Sequence, residues 1–312
     1  MHGRAMPPDQ SPEAIASILA QFEVTGDAAF RLADCATRIT RPYQGDAAFR
    51  RVMKALREGI ADRQRKLFAN GTDAVLVVVQ GVDGAGKNGL VRHALHKVDP
   101  NGMHVWSFGA PDHGELREDF LRRYQRRLPL TGEIAVFNRG YHEVVLSGRV
   151  HPDSQVPAHH AEAAPAAETT IAARFEEIRA FERYLVANRI AVVKIMLHVS
   201  PGTQQRRLRS RADSNAKQWK LTEADCRDAV LWSDFAEAYE ACIANTATSA
   251  SPWYVLPADD KRTARMLGAA AVLQALERLA PEWPVPGAGR KAELARMVAA
   301  LSAIPSPEAS GS

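Results

Sequence analysis

The run AVLVVVQGVDGAGKNGLVRHAL, residues 74–95, constrains this chain more than any other segment. Ala74 to Gln80 are apolar up to Val79 and mostly β-branched, the pattern of a short strand buried on both faces of a parallel sheet. Gly81-Val82-Asp83-Gly84-Ala85-Gly86-Lys87 follows at once and satisfies the spacing G-x-x-x-x-G-K, with a helical pattern behind it. Strand, glycine loop and helix in that order make a phosphate cradle. The glycines let successive N–H groups turn inward, and the helix adds its positive end. Lys87 then sets a mobile charge against the outer phosphates. The phosphate-binding residues are therefore expected to be Gly84, Ala85, Gly86, Lys87, Asn88 and Gly89. Asn88 stands where Ser or Thr usually helps to hold Mg²⁺. Asp83, inside the loop, is the substitute carboxylate for a metal or for a base; the plainer alternative is a turn Asp bonding its own backbone.

The remainder of the chain sets that loop in a fold. HVWSF (104–108), EIAVF (133–137), AVVKIMLHV (191–199) and WYVLP (253–257) read as strands separated by helical stretches. The alternation predicts an α/β fold, a parallel sheet of about five strands with crossover helices. Phe49, Val52, Met53, Leu56, Ile60 and Leu67 predict a helix stopped by Asn70-Gly71, and Ser11-Pro12 reads as a helix start. Residues 151–168, rich in Ala, Pro and His, read as a loop; the end from Pro281 reads as a tail with one short helix, Lys291 to Leu301.

Composition closes off other classes. With 312 residues, 46% hydrophobic, the chain can bury a sizeable core and is neither wholly disordered nor collagen-like. Its longest clean apolar run, Ala74 to Val79, falls far short of the ~20 residues that span a bilayer. The N-terminus lacks a signal-type apolar core, and Cys35, Cys226 and Cys242 lack ligand spacing, so a cytoplasmic protein with reduced thiols is expected. A net charge of +4 favours anionic partners. Arg122, Arg123, Arg126 and Arg127, on one predicted helix, could with Arg92, His93 and Lys97 line a channel for a polyanion; the alternative is an ordinary charged surface. No nucleic-acid module is apparent. His151, His159 and His160 lack partners at metal spacing.

Several blocks taken together resemble the family-2 polyphosphate kinases. The loop GVDGAGKNGLVRH is similar to that family's, and VDPNGMHVWSFGAP, LPLTGEIAVFNRGYHEVVLSGRVHP, QRRLRSRADSNAKQWKLTEAD, WSDFAEAYE and SPWYVLPADDK continue the likeness in order. The resemblance implies a P-loop kinase fold with a helical lid. It implies phosphoryl transfer between inorganic polyphosphate and a nucleoside mono- or diphosphate (AMP, ADP, GDP), in line and without a covalent intermediate. Mg²⁺ is implied, Mn²⁺ being possible; a homo-oligomer is expected besides. The expected layout is a helical extension over 1–45, a kinase-like domain over 46–280 with its lid at about 201–232, and a partly disordered tail over 281–312.

Residue by residue, Asp83 would hold metal and activate the nucleophile, while Lys87 and Arg139 would grip the transferring phosphates. Asn138 would orient a metal-bound water, or serve only as a strand-end cap. Arg207 and Arg211 would close from the lid, since transfer spreads charge over several oxygens; Arg206 or Arg209 would be surface. Glu143, Lys217, Trp219 and Lys220 would lie near the nucleotide, with Trp219 equally suited to packing. Gly140 (usually Ser), His142 (usually aromatic), Ala229 (commonly Arg) and the turn SNA at 214–216 depart from the family pattern, as Asn88 does from the general loop motif. One competitor is an ATP-dependent small-molecule kinase on the same fold; Asn88, Gly140 and Ala229 suggest another, a catalytically weak polyphosphate- or nucleotide-binding protein.

Overall fold

The computed structural model describes residues 11–26, 29–151 and 167–304. Its elements alternate as the sequence predicts. Ser11 accepts from the Ala14 N–H at 3.2 Å and starts α1 (Pro12–Leu19). A two-residue strand β1 (Glu23–Val24) precedes α2 (Gly45–Asn70), which buries Val52, Met53, Leu56, Ile60 and Leu67 and ends at Gly71. Then come β2 (Ala74–Gln80), α3 (Lys87–Ala94), β3 (Met103–Ser107), α4 (Arg122–Gln125), β4 (Ile134–Asn138), α5 (Ser147–Val150) and α6 (Ala167–Ala187). The last part holds β5 (Ile190–His198), α7 (Pro201–Ala212), α8 (Glu223–Val230), α9 (Trp232–Thr246), β6 (Trp253–Pro257), α10 (Lys261–Leu279) and α11 (Ala288–Ser302).

The strands form one sheet in the order β1-β6-β5-β2-β4-β3, parallel except for β1. β2 is fully buried between β5 and β4, and its Val79 lies opposite Ile195 and Asn138. The three central strands therefore end together, on the edge where doubly wound sheets take ligands. Side chains alternate into two cores. Val75, Val77 and Val79 pack towards α1, α2, α3 and α10; Leu76 and Val78 pack towards α6 and α9.

Four differences from the sequence reading have physical causes. The sheet has a sixth strand, inside the extension expected to be helical; two residues are too few to carry a period. The arginine-rich helix is a single turn, so only Arg122 and Arg123 are helical and the chain turns away before Leu128-Pro129. Residues 167–168 of the expected loop begin α6, while 152–166, with His159 and His160, lie outside the described residues. The tail's helix is longer than expected and buries no residue, and 305–312 also fall outside the description. Among the described residues no helix is long and apolar enough to cross a membrane.

Candidate active site

A cleft of about 1900 Å³ opens where β2, β4 and β5 end, between the phosphate loop, α7, α8 and the start of α10. Lys and Arg outnumber Asp and Glu along its walls. Its floor is the loop. Gly81 takes φ +143°, and a Cβ there would come within 3.0 Å of the Leu197 carbonyl oxygen and the Ala85 Cβ, so only glycine lets the loop begin this close to β5. The Gly81 N–H donates to the Tyr239 hydroxyl from α9 at 2.8 Å.

Three charges converge on that floor. Lys87, 8% exposed, folds back and donates to the Gly81 carbonyl at 2.5 Å, with its Nζ 3.5 Å from Asp83 Oδ1. Arg139 donates through Nη2 to both Asp83 oxygens, at 2.5 and 2.6 Å. Burial alone would raise the Asp83 carboxyl, but Lys87 and Arg139 outweigh it and hold it well below its ordinary value. Burial pushes the Lys87 ammonium down. Burial would also lower Arg139, but Glu143 and Asp83 raise it. The Arg139 backbone sits at φ 64°, a left-handed conformation costly for a non-glycine residue, held by its N–H donating to the Val79 carbonyl at 3.0 Å. Lys87 and Arg139 thus face Asp83 with Glu143 close enough to act on both, and it is the excess of Lys and Arg along the walls that makes the cleft positive where phosphates would lie.

Beside them Asn138 donates to Asn88 Oδ1 and, at 3.2 Å, to Ser107 Oγ. Its own Oδ1 is enclosed without a partner. That free oxygen and the Asp83 carboxylate are hard donors. Among the described residues no group of three or more His, Cys, Asp or Glu is arranged to hold a metal. A Mg²⁺ held by one carboxylate and by substrate phosphates needs no such group, so the residues present fit that ion.

The other expected residues divide. Arg207 does not hang over the cleft as a free cation; its guanidinium donates to the carbonyls of Gly84, Ala85, Ala258 and Asp259 at 2.6–3.2 Å. Arg211 lines the cleft, 3.7 Å from Asp225 of α8. Lys217, Trp219 and Lys220 line it too; Trp219 is 76% exposed, with the Lys220 ammonium 4.8 Å over its ring. Glu143 accepts from Ser147 Oγ at 2.7 Å and, with the Gln80 amide turned to satisfy both its ends, from Gln80 at 2.8 Å. Of the polyanion-channel set, Arg92 and Arg123 reach the wall, whereas His93, Lys97 and Arg122 do not; Lys97 pairs with Glu58 on the surface.

Some wall residues escaped the sequence reading. Lys261 and Arg265 start α10 directly after β6, and their position at a strand's carboxyl end was a usable signal. Arg174 carried none, and Arg206, set aside with Arg209 as surface, also lines the cleft. Two departures find causes. A Cβ on Gly140 would meet Val78 Cγ1 at 2.8 Å, so a valine methyl occupies the space a side chain would need. His142 fills an aromatic slot between Tyr141 and Trp253, fully buried and bonded to Glu182 at 3.2 Å, away from the cleft.

Comparison with known proteins agrees over nearly the whole chain. A family model described as Polyphosphate kinase 2 matches residues 44–283. An ADP-polyphosphate phosphotransferase of Rhodopseudomonas palustris is 37% identical over 281 residues, 89% of this chain and 96% of that protein. An AMP/ADP-polyphosphate phosphotransferase of Meiothermus ruber is 34% identical, over 85% of this chain and 96% of that one. The crystal structure of polyphosphate kinase 2 from Arthrobacter aurescens superposes with a TM-score of 0.78 at 31% identity, covering 94% of this chain and 99% of that one.

Proposed function

The chain belongs to the polyphosphate kinase 2 family, and from that premise we propose how its own residues move a phosphoryl group between inorganic polyphosphate and a nucleotide. That transfer is its activity, which makes it a kinase that uses a divalent metal. The observation carrying the site assignment is the convergence of Lys87 and Arg139 on the glycine loop, in a cleft whose walls hold more Lys and Arg than Asp and Glu. The cleft also exceeds the ~300–1,000 Å³ of a typical small-ligand pocket. In this reading nucleotide and polyphosphate share the cleft.

In this reading the loop amides and the N-terminus of α3 take the phosphates. The Lys87 ammonium leaves the Gly81 carbonyl for a phosphoryl oxygen, and Arg139 trades Asp83 for the same group, gripping it through two parallel N–H donors. Asp83, so released, and Asn138 Oδ1 would hold Mg²⁺ (or Mn²⁺), which would supply positive charge to offset that of the phosphates. Arg211 closes over the transferring group from the α7–α8 lid. Attack is in line, and catalysis is positioning plus cationic stabilisation. Glu143, tied to Gln80 and Ser147, and Trp219 line the nucleotide side, which accepts AMP, ADP or GDP. Arg92 and Arg123 remain the polyphosphate contacts on the wall. A cytoplasmic location fits the three free thiols. A homo-oligomer fits the exposed apolar stripe Leu294, Met297, Val298 and Leu301 on α11.

The test is a panel of AMP, ADP and GDP with purified polyphosphate, beside ATP as the sole donor, with Lys87→Ala as control. Nucleotide phosphorylation from polyphosphate is expected, falling about 10²–10³-fold in Lys87→Ala. Full activity of Lys87→Ala would show the site assignment to be wrong. Turnover with ATP alone would reveal the small-molecule kinase, and tight polyphosphate binding without transfer the weak binder.

A further inference from the structure

Arg207 has no terminal N–H left for a phosphate. Nη1 donates to the Gly84 and Ala85 carbonyls at 3.0 and 2.8 Å; Nη2 donates to those of Ala258 and Asp259 at 2.6 and 3.2 Å. Four terminal N–H groups meet four backbone acceptors, and only Nε–H remains. A guanidinium that grips a transferring group needs those terminal donors free.

What the bonds do to the loop follows from peptide geometry. In a trans peptide the carbonyl of one residue and the N–H of the next point in opposite directions. Drawing the Gly84 carbonyl to Arg207 turns the Ala85 N–H the other way, where it donates to the Val82 carbonyl at 3.0 Å and closes the turn. Drawing the Ala85 carbonyl out turns the Gly86 N–H away from Arg207, at the entry to α3. Gly84 and Gly86 take φ +88° and +113° and have no side chain to hold them there. The guanidinium supplies that hold.

Arg207 also stands on the anchored part of α7. Asp259 accepts from the Ser200 N–H and hydroxyl at 2.9–3.0 Å, and Arg207 bonds the same turn after β6. Arg211, one turn on, faces Asp225 of α8 instead. We propose that Arg207 is a positioning residue: by fixing the Gly84 and Ala85 peptide planes it keeps the loop in its anion-binding shape and so sets phosphate affinity before any transfer. The charge delivered to the transferring group then comes from Arg211. This rests on the cleft being the phosphoryl-transfer site, yet its test needs no turnover.

The experiment uses the full chain labelled with ¹⁵N-glycine and no ligand, comparing the Gly84 and Gly86 amide resonances in wild type, Arg207→Ala and Arg207→Lys. Tripolyphosphate affinity is measured by calorimetry on the same samples, and kcat and KM alongside. Both substitutions are expected to move the two loop resonances, leave those of Gly45 and Gly71 in place, and weaken tripolyphosphate binding at least tenfold. Arg211→Ala is expected to lower kcat with both loop resonances unchanged. The proposal is overturned if Arg207→Ala lowers kcat while the loop resonances and affinity stay as in wild type. Should Arg207→Ala fail to fold, Arg207→Lys decides: an ammonium cannot span four carbonyls, so wild-type resonances and affinity in that variant also overturn it. Failure of the site assignment shows separately, as full turnover in Lys87→Ala.

Discussion

Two clusters in this protein pair a carboxylate with an ammonium, and they are built to opposite ends. Glu182 of α6 and Lys194 of β5 meet at 2.6 Å in the core, both essentially inaccessible. Each Glu182 oxygen has two partners. Glu182 also accepts from Tyr141 at 2.9 Å and Ser251 at 2.8 Å and bonds His142 at 3.2 Å, while Lys194 donates to the Thr246 carbonyl at 2.6 Å. Asp83 and Lys87 meet more loosely, at 3.5 Å, with Arg139 crowding in as a second cation. One cluster is closed in the core, the other lies open to a cleft whose walls carry more cations than carboxylates. A buried ion pair that is fully bonded can only hold the fold, whereas one that opens on such a cleft has somewhere for an anion to go.

The sharpest way to break this contrast is to remove a cation from the closed cluster. Lys194→Met strands Glu182 and should cost about 3–5 kcal/mol in urea unfolding. The fraction still folded should transfer phosphate at the wild-type rate. A rate loss beyond the loss of folded protein would join the clusters rather than separate them.

Acid probes the same pair without mutation. Burial would raise Glu182, but Lys194 and His142 hold it down to about 2, from an ordinary 4.5. Its folded value lies below its unfolded one, so its contribution is whole above pH 4.5 and drains away as pH falls towards 2. Urea midpoints at pH 6, 4.5 and 3 should fall in that order, and less steeply in Lys194→Met. A midpoint flat across this range would contradict the assignment.

A smaller effect sits between the clusters. Gly140→Ala pushes a methyl against Val78 Cγ1 and should destabilise by about 1–3 kcal/mol, with Val78→Ala in the same chain restoring part of it. If the single variant is as stable as wild type, Val78 is not what keeps residue 140 small.

The open cluster was easier to read from sequence than the closed one. Asp83 and Lys87 lie in one local motif whose spacing states its chemistry, and strand β2 was legible to the residue because each of its positions is buried. Asn138-Arg139 showed at the end of an apolar strand. Lys194, by contrast, is one charge inside a buried strand, and nothing local says that Glu182, twelve residues back on a helix, will meet it. Arg207 was legible as a lid arginine matching the family pattern but not as a clamp, because its partners are backbone carbonyls, which every residue has. Gly140 made sense only once Val78, far back in sequence on the adjacent strand β2, was seen beside it.

The most direct test measures urea unfolding with and without tripolyphosphate in wild type, Lys87→Met and Lys194→Met. At a hundred times Kd the ligand should stabilise wild type by about 2.7 kcal/mol. It should do the same for Lys194→Met from its lower baseline, and little for Lys87→Met. Equal stabilisation of Lys87→Met and wild type would contradict the account.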